Sequence, residues 1–367
     1  MSTLVQTTSS ALGERPSPPP TLREWLRAHV IATPLDALLA MVIAVAAIFV
    51  LPKAVAWALT DSVFVADSPA ACRVVSGACW AVVQSHTRVI LFGLYPYAEQ
   101  WRAALALAVV AIALAATFGL GIRRLRALAV VWAAATAIFI ALMGGGVFGL
   151  RAVPTDEWGG LPQSLYVFML SILLGFPLAI VLALGRASRL PAIRIVCTAA
   201  IELVRAMPIL TILFCAAIVI PLMLPAWLTP GKSYRVILAM AFFYACYQAE
   251  IIRGGLQGVP PGQALAALSL GLTPLQSKLA IELPQALRYT VPATINQIVV
   301  ALKDTSMLLV VGIFDFMASA NTAISKDEWV RYFPELYLFV AVVFLILTTT
   351  LGALERRFAG SRNRASN

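Results

Sequence analysis

The stretch GQALAALSLGLTPLQSKLAIELPQALR, Gly262–Arg288, is too polar and too punctuated to cross a membrane, yet long apolar runs flank it on both sides. Pro260 and Pro261 precede a first short helix, about Gly262–Leu270, because proline suits the first helical turn, where its missing N–H is not needed. Gly271 ends that helix, since glycine accepts the left-handed conformation at a helix C-terminus. Thr273-Pro274-Leu275-Gln276 then has the spacing of a capping box with proline at the first helical position. The second helix is expected to run to about Glu282 and to stop before Pro284. Ala264, Ala266 and Ala267 give the first helix a small-residue surface, and Leu265, Leu268 and Leu272 give it an apolar stripe. An exposed apolar patch on a short helix implies a partner; the alternative is a loop folded back on its own membrane domain.

Outward from this loop, the 367-residue chain is 61% hydrophobic and only 12% charged, with a mean hydropathy of +0.89. That composition is of the membrane class. A span needs about 20 apolar residues to cross about 30 Å of hydrocarbon. Eight are expected, at 36–58, 103–121, 127–149, 163–185, 207–225, 236–253, 289–313 and 332–353, which makes the fold an all-α integral membrane protein. Residues 1–33 read as a polar, disordered cytoplasmic tail with no cleavable signal peptide ahead of the first span. Residues 34–150 form a three-span extension with an outer loop, 61–102. The turn-rich Arg151–Gly160 joins it to a five-span block, 151–360, which carries the loop 254–288, and 361–367 form a second tail.

The net charge of +10 invites a nucleic-acid reading, but its distribution is topological. With the N-terminus inside, the inner segments hold 17 Lys and Arg and the outer segments 8. That bias follows the positive-inside rule with both termini cytoplasmic, and it leaves no basic cluster with interleaved aromatics for nucleic acid. Six crossings precede Gly254, so the opening stretch is cytoplasmic.

Polar groups inside spans are the next signal. The seventh span carries Asn296, Gln297, Lys303, Asp304, Thr305 and Ser306. A Lys or Asp at mid-bilayer costs about 2.5–3.5 kcal/mol, so these groups should face protein or water. One reading is a pathway for a zwitterion, with Lys303 towards a carboxylate and Asp304 towards an amino group; the other is a structural pair that pins the helix to a neighbour. Adjacent helical residues diverge by about 100°, so both cannot easily point at one small ligand. Glu250 with Arg253, and Glu202 with Arg205, are each three apart at the cytoplasmic boundary and read as pairs with a structural or gating role. Cys72 and Cys79 share the outer loop, where a disulfide and two free thiols stand about even. Gly231-Lys232-Ser233 resembles the end of a phosphate-binding loop, but Ala226 stands where its first glycine is required. No nucleophile elbow or metal-ligand cluster appears, so no catalytic residue, metal or cofactor is expected on this chain.

The spacing of Ala266-Ala267, Gly271, Ile281, Leu283 and Pro284 resembles the EAA loop of importer permeases of the ABC class: EAA, three residues, G, nine residues, I, one residue, LP. Ala249–Gln263, Pro284–Arg288, Lys303–Met307 and Glu202–Leu210 look like the polar amino-acid subfamily. The cysteine-containing segment and Phe92–Arg102 look like the general L-amino-acid permeases, and the resemblance covers most of 35–360. It implies a transmembrane permease subunit of an ATP-driven, binding-protein-dependent L-amino-acid importer in the bacterial inner membrane. Its core would be the five-span, type I kind with a cytoplasmic coupling helix. ATP would bind and be hydrolysed on separate ATPase subunits gripping 262–284. A second permease subunit and a periplasmic amino-acid-binding protein would complete the assembly, embedded in membrane lipid. Leu265 departs from the pattern, standing where the family has Glu. The rival is a secondary transporter or channel without an ATPase, which predicts no docking loop.

Overall fold

The computed structural model describes residues 21, 23, 24, 26, 30–120, 125–147, 149–325 and 328–363. Most of the expected tails, 1–33 and 361–367, and several arginines of the charge count lie outside the described residues. Among the described residues the structure is helical, and its extended pairing amounts to isolated bridges, Val63 with Cys79 and Gly160 with Asp315.

The chain divides into two units. The first holds the described residues up to Val63 together with Ala70–Cys79. Its helix α1, Pro34–Val55, starts with a capping box in which Thr33 and Asp36 satisfy each other's backbone N–H, and it runs on through a π-helical turn, Ala56–Thr60. None of its residues is buried, as suits a helix apolar on every side and built for lipid. The short α2, Ala70–Arg73, brings Cys72 to Cys79, and the two are joined in a disulfide. Val63 N–H donates to the Ala78 carbonyl at 2.9 Å and Ala78 N–H to the Trp57 carbonyl at 2.7 Å, closing this loop on the end of the first helix.

The second unit takes Phe64–Pro69 and the described residues from Trp80 onward. Its helices are α3 (Ala81–Phe92), α4 (Gln100–Leu120), α5 (Leu125–Gly144), α6 (Gly160–Arg186) and α7 (Pro191–Ala206). Then come α8 (Ile209–Met223, with a π-turn at Cys215–Val219), α9 (Lys232–Gln257), α10 (Pro261–Ser269), α11 (Pro274–Ser277) and α12 (Leu283–Tyr289). The last are α13 (Val291–Asp304, continued as 3₁₀ turns to Val311), α14 (Phe316–Ile324) and α15 (Phe333–Asn363).

Among the described residues seven helices are long and apolar enough to cross a membrane, where seven of the eight expected spans lie. Two expectations are corrected. The third span ends at Gly144 rather than 149, because Gly145 and Gly146 have φ of 64° and 74° and turn the chain. The fifth, 207–225, is not a plain span: Ile209–Met223 follows α7 across a 105° bend, and an eighth crossing exists only if that bent pair counts as one. The break is at Met207, which is extended with φ −100° and ψ 139°. Pro208 crowds the residue before it out of the helical region.

The expected joint at Arg151–Gly160 lies inside the second unit. Arg102 is fully buried. It donates from Nε to the Leu142 carbonyl at 2.7 Å, from Nη1 to the Arg151 carbonyl at 2.9 Å and from Nη2 to the Met143 carbonyl at 3.4 Å. Glu99 pairs with the same guanidinium at 3.1 Å, and the Tyr95 hydroxyl donates to the Met143 carbonyl at 2.8 Å. Helix C-termini leave carbonyls without intrahelical donors and carry partial negative charge, so a cation suits the end of α5. The segment Phe92–Arg102 thereby caps the next helix. At the centre, α6 and α9 cross so closely that a Cβ on Gly175 would lie 2.6 Å from the Ala241 carbonyl oxygen. One core holds Phe139, Met143, Trp158, Tyr166, Tyr244 and Leu302. A second, containing Ala179, Ile201, Phe243, Ala249 and Leu283, adjoins the Gly262–Arg288 loop.

Candidate functional site

The loop folds as its punctuation dictates. α10 begins with Pro261 in its first turn. Gly271, at φ +83°, donates to the Leu268 carbonyl at 3.0 Å, and Leu272 N–H reaches the Ala267 carbonyl at 3.2 Å. That pair of bonds is the Schellman closure of a helix end. Thr273 and Gln276 then form the capping box, with Gln276 N–H to Thr273 Oγ1 at 3.3 Å and Thr273 N–H to Gln276 Oε1 at 2.8 Å.

The second helix does not stop before Pro284. A π-helical turn at Lys278–Glu282 carries it into α12, with Leu283 N–H bonded to the Lys278 carbonyl. The wider turn accommodates a proline, which lacks an N–H and crowds the carbonyl four residues back.

Side chains sort into those that hold the loop and those it presents. Ala267, Ser277 and Leu283 are buried, and Ser277 donates to Glu282 Oε1 at 3.1 Å. Lys278 Nζ donates to the Ala187 carbonyl, just past the end of α6, at 3.1 Å. Ala266 and Pro284 are exposed and Ile281 is half-buried. Leu265, Leu268, Leu270, Leu275 and Leu279 are 65%, 42%, 82%, 61% and 45% exposed, whereas Leu272 is half-buried. α10 contains no charged residue. A cleft of about 400 Å³ separates it from the end of α6, with Arg189, Ala264, Leu268 and Lys278 in its walls.

Beside the loop, charges from three helices meet. Glu250 on α9 lies 3.0 Å from Arg253 Nη2, 2.9 Å from Arg186 Nη1 and 3.6 Å from Arg205 Nη1. The Arg186–Glu250 contact is close but off-line, a Coulomb contact rather than a directed hydrogen bond. Of the two expected pairs, Glu250–Arg253 forms. Glu202–Arg205 does not: Glu202 takes Arg186 Nη2 at 2.8 Å, and Arg205 turns to Glu250 and the Tyr247 ring. Arg186, the hub, stands some 16 residues upstream of Glu202 in sequence, so no helical spacing announces it. A cavity of about 500 Å³ opens here, lined by Glu250, Gly254, Gly258, Tyr289, Thr290 and Ala293.

The polar set of the seventh span separates by face. Asn296 and Lys303 are exposed, on a stripe with Val300 and Met307, and Gln297 and Asp304 are half-buried. Thr305 is fully buried and donates to the Leu302 carbonyl at 2.7 Å. Ser306 donates to the Lys303 carbonyl at 2.8 Å, so both hydroxyls are committed to backbone. Among the described residues, neither the Lys303 nor the Asp304 side chain has a hydrogen-bond or ion-pair partner.

Residues 175–361 match the family described as binding-protein-dependent transport system inner membrane component. Over 317 residues the chain is 33% identical to the inner membrane amino-acid ABC transporter permease protein YhdY of Escherichia coli, covering 85% of this chain and 86% of that one. It is 28% identical over 422 residues to the glutamate/glutamine/aspartate/asparagine transport system permease protein BztC of Rhodobacter capsulatus, covering 94% and 96%. It is also similar to the crystal structure of an amino acid ABC transporter with histidines, at 30% identity and a TM-score of 0.48, over 54% of this chain and 90% of that one.

Proposed function

The chain belongs to the family of binding-protein-dependent transport system inner membrane components, and from that premise we propose how its parts serve amino-acid import. It is a multi-pass permease of an ABC importer for amino acids. In our reading both termini and the Gly262–Arg288 loop are cytoplasmic. α10 docks in a groove of a separate ATPase, which alone binds and hydrolyses ATP. A periplasmic binding protein delivers an L-amino acid to the opposite face, and a second permease subunit completes the pathway.

The observation that carries this reading is the loop: a short, uncharged helix, opened by proline and closed by the turn at Gly271, that with its C-cap presents Leu265, Leu268 and Leu270 outward. Exposed leucines at this density mark a protein contact. With Leu in place of the family's Glu, the facing groove is apolar. A secondary transporter or channel has no use for such an element.

The exposed stripe of α13 supports a role as pathway wall. A lone Lys303 facing lipid is costly, whereas facing a water-filled path or a partner subunit it is not. Asn296, Gln297, Lys303 and Asp304 are our pathway residues. The cluster of Glu202, Arg205, Glu250 and Arg253 closes the cytoplasmic mouth, where two-state movement between outward-open and inward-open forms is biased from both ends.

The test is uptake of labelled amino acids into vesicles holding the permease, its ATPase and its binding protein. Uptake that needs both ATP inside and binding protein outside is the expected result; uptake without ATP returns the secondary-transporter reading.

A further inference from the structure

Lys278 and Arg186 meet neighbouring points of one helix end. Lys278, in the middle of the proposed docking loop, holds the Ala187 carbonyl at 3.1 Å. Arg186, one residue earlier, holds Glu202 at 2.8 Å and Glu250 at 2.9 Å. The cytoplasmic end of α6 is therefore fastened on one side to the loop and on the other to α7 and α9. We infer that Lys278 and Arg186 are the positioning residues that transmit movement of the docking loop to the cytoplasmic mouth: Lys278 is a strut that stays made, and Arg186–Glu250 is a latch that parts when the mouth opens. This inference rests on the importer reading and deepens it.

The chemistry separates the two links. A lysine on a helix C-terminal carbonyl gains from the helix dipole as well as the hydrogen bond, and it asks nothing of the rest of the bundle. The latch is different. Glu250 has Arg253 on its own helix, three residues on, and Arg205 at 3.6 Å, so it keeps cationic partners when Arg186 leaves. Arg186 likewise keeps Glu202. Neither charge is stranded by separation, which a contact made and broken in each cycle requires. The cavity of about 500 Å³ lies against Glu250 itself, so parting the latch widens space already present. α6 is also the helix packed closely on α9 at Gly175, and a closely packed pair moves as discrete arrangements rather than by continuous deformation.

The experiment uses the complete transporter, permease with ATPase and binding protein, in sealed vesicles. It reads three quantities: ATPase retained on the permease, stimulation of ATP hydrolysis by loaded binding protein, and amino acid moved per ATP. Lys278→Met is expected to retain the ATPase while stimulation falls roughly fivefold or more; Lys278→Arg, which still donates, is expected to restore it. With the native free cysteines replaced, cross-linking a cysteine at 187 to one at 278 should leave uptake within about twofold, as a permanent strut. Cross-linking 186 to 250 should abolish uptake with the ATPase still bound. If Lys278→Met couples normally, or the 186–250 cross-link transports, the inference is overturned while the importer reading stands. If the unaltered complex shows no ATP-dependent uptake, both fall.

Discussion

Glu250 of α9 gathers three arginines from three helices, with Arg186 at 2.9 Å, Arg253 at 3.0 Å and Arg205 at 3.6 Å. One carboxylate, 14% exposed, thus sets the spacing of α6, α7 and α9 at their shared end. Glu250→Gln leaves three cations without their common partner. Because water reaches the arginines, the cost is about 1–2 kcal/mol rather than that of a fully buried pair. Thermal unfolding in detergent at low and high salt is the check. The variant's deficit should shrink as salt screens the freed charges, and an equal deficit at both salts speaks against an ionic origin.

At Gly271 the demand is conformational. Its φ is +83° and an added Cβ would meet nothing within 4 Å, so Gly271→Ala costs about 1–2 kcal/mol of local backbone strain and no clash. The loop then frays while the spans stay inserted. Membrane abundance should be unchanged, and co-purification of the ATPase should fall, further for Gly271→Asp. Full ATPase retention by both variants would show that this turn does not shape the docking surface.

Arg102 presents the opposite case, a structural charge far from the loop. It has no exposed surface and spends its guanidinium on three carbonyls and Glu99. Arg102→Ala takes the donor from the Leu142 and Arg151 carbonyls and the cation from Glu99, while the Met143 carbonyl keeps the Tyr95 hydroxyl, at about 3–5 kcal/mol. The expected outcome is a collapse in the yield of folded protein, measured by size-exclusion profile, without selective loss of coupling in whatever survives.

Asp315 caps α14, accepting from Ala318 N–H at 2.9 Å and Met317 N–H at 3.2 Å. Burial nevertheless pushes its carboxyl from 3.8 up to about 7. The folded protein therefore holds a proton that the unfolded chain has released between about pH 4 and 7. Its contribution to stability is present on the acid side and is lost as pH rises through about 7. Asp315→Asn keeps an acceptor for the cap and does not titrate. The unfolding temperature of the unaltered protein should drop more than that of the variant between about pH 5.5 and 8; parallel curves would mean that Asp315 stays ionised throughout.

Local signals were legible in the sequence wherever one residue type answers one backbone need. The prolines at 260 and 261, Gly271 and the Thr273–Gln276 box place the helix ends of the loop to within a residue or two, because capping is decided within a few positions of the chain. Apolar runs of about 20 residues place the spans, because a bilayer has one thickness. Where the chain had choices open to it, local reading stopped short. Nothing in the sequence says that Pro284 is absorbed by a π-turn, or that α8 leaves α7 across a 105° bend at Pro208, since a proline constrains only its own turn and the packing around it decides how the chain recovers. Helical spacing predicted Glu202 with Arg205, yet Arg186 takes Glu202 at 2.8 Å. Spacing states which charges on one helix can meet; which charges do meet depends on helix ends brought together from elsewhere. The same holds for Arg102 and Lys278, whose partners are backbone carbonyls 40 to 91 positions away. A carbonyl carries no mark in the sequence, and only the tertiary structure decides which helix end a long cation will find.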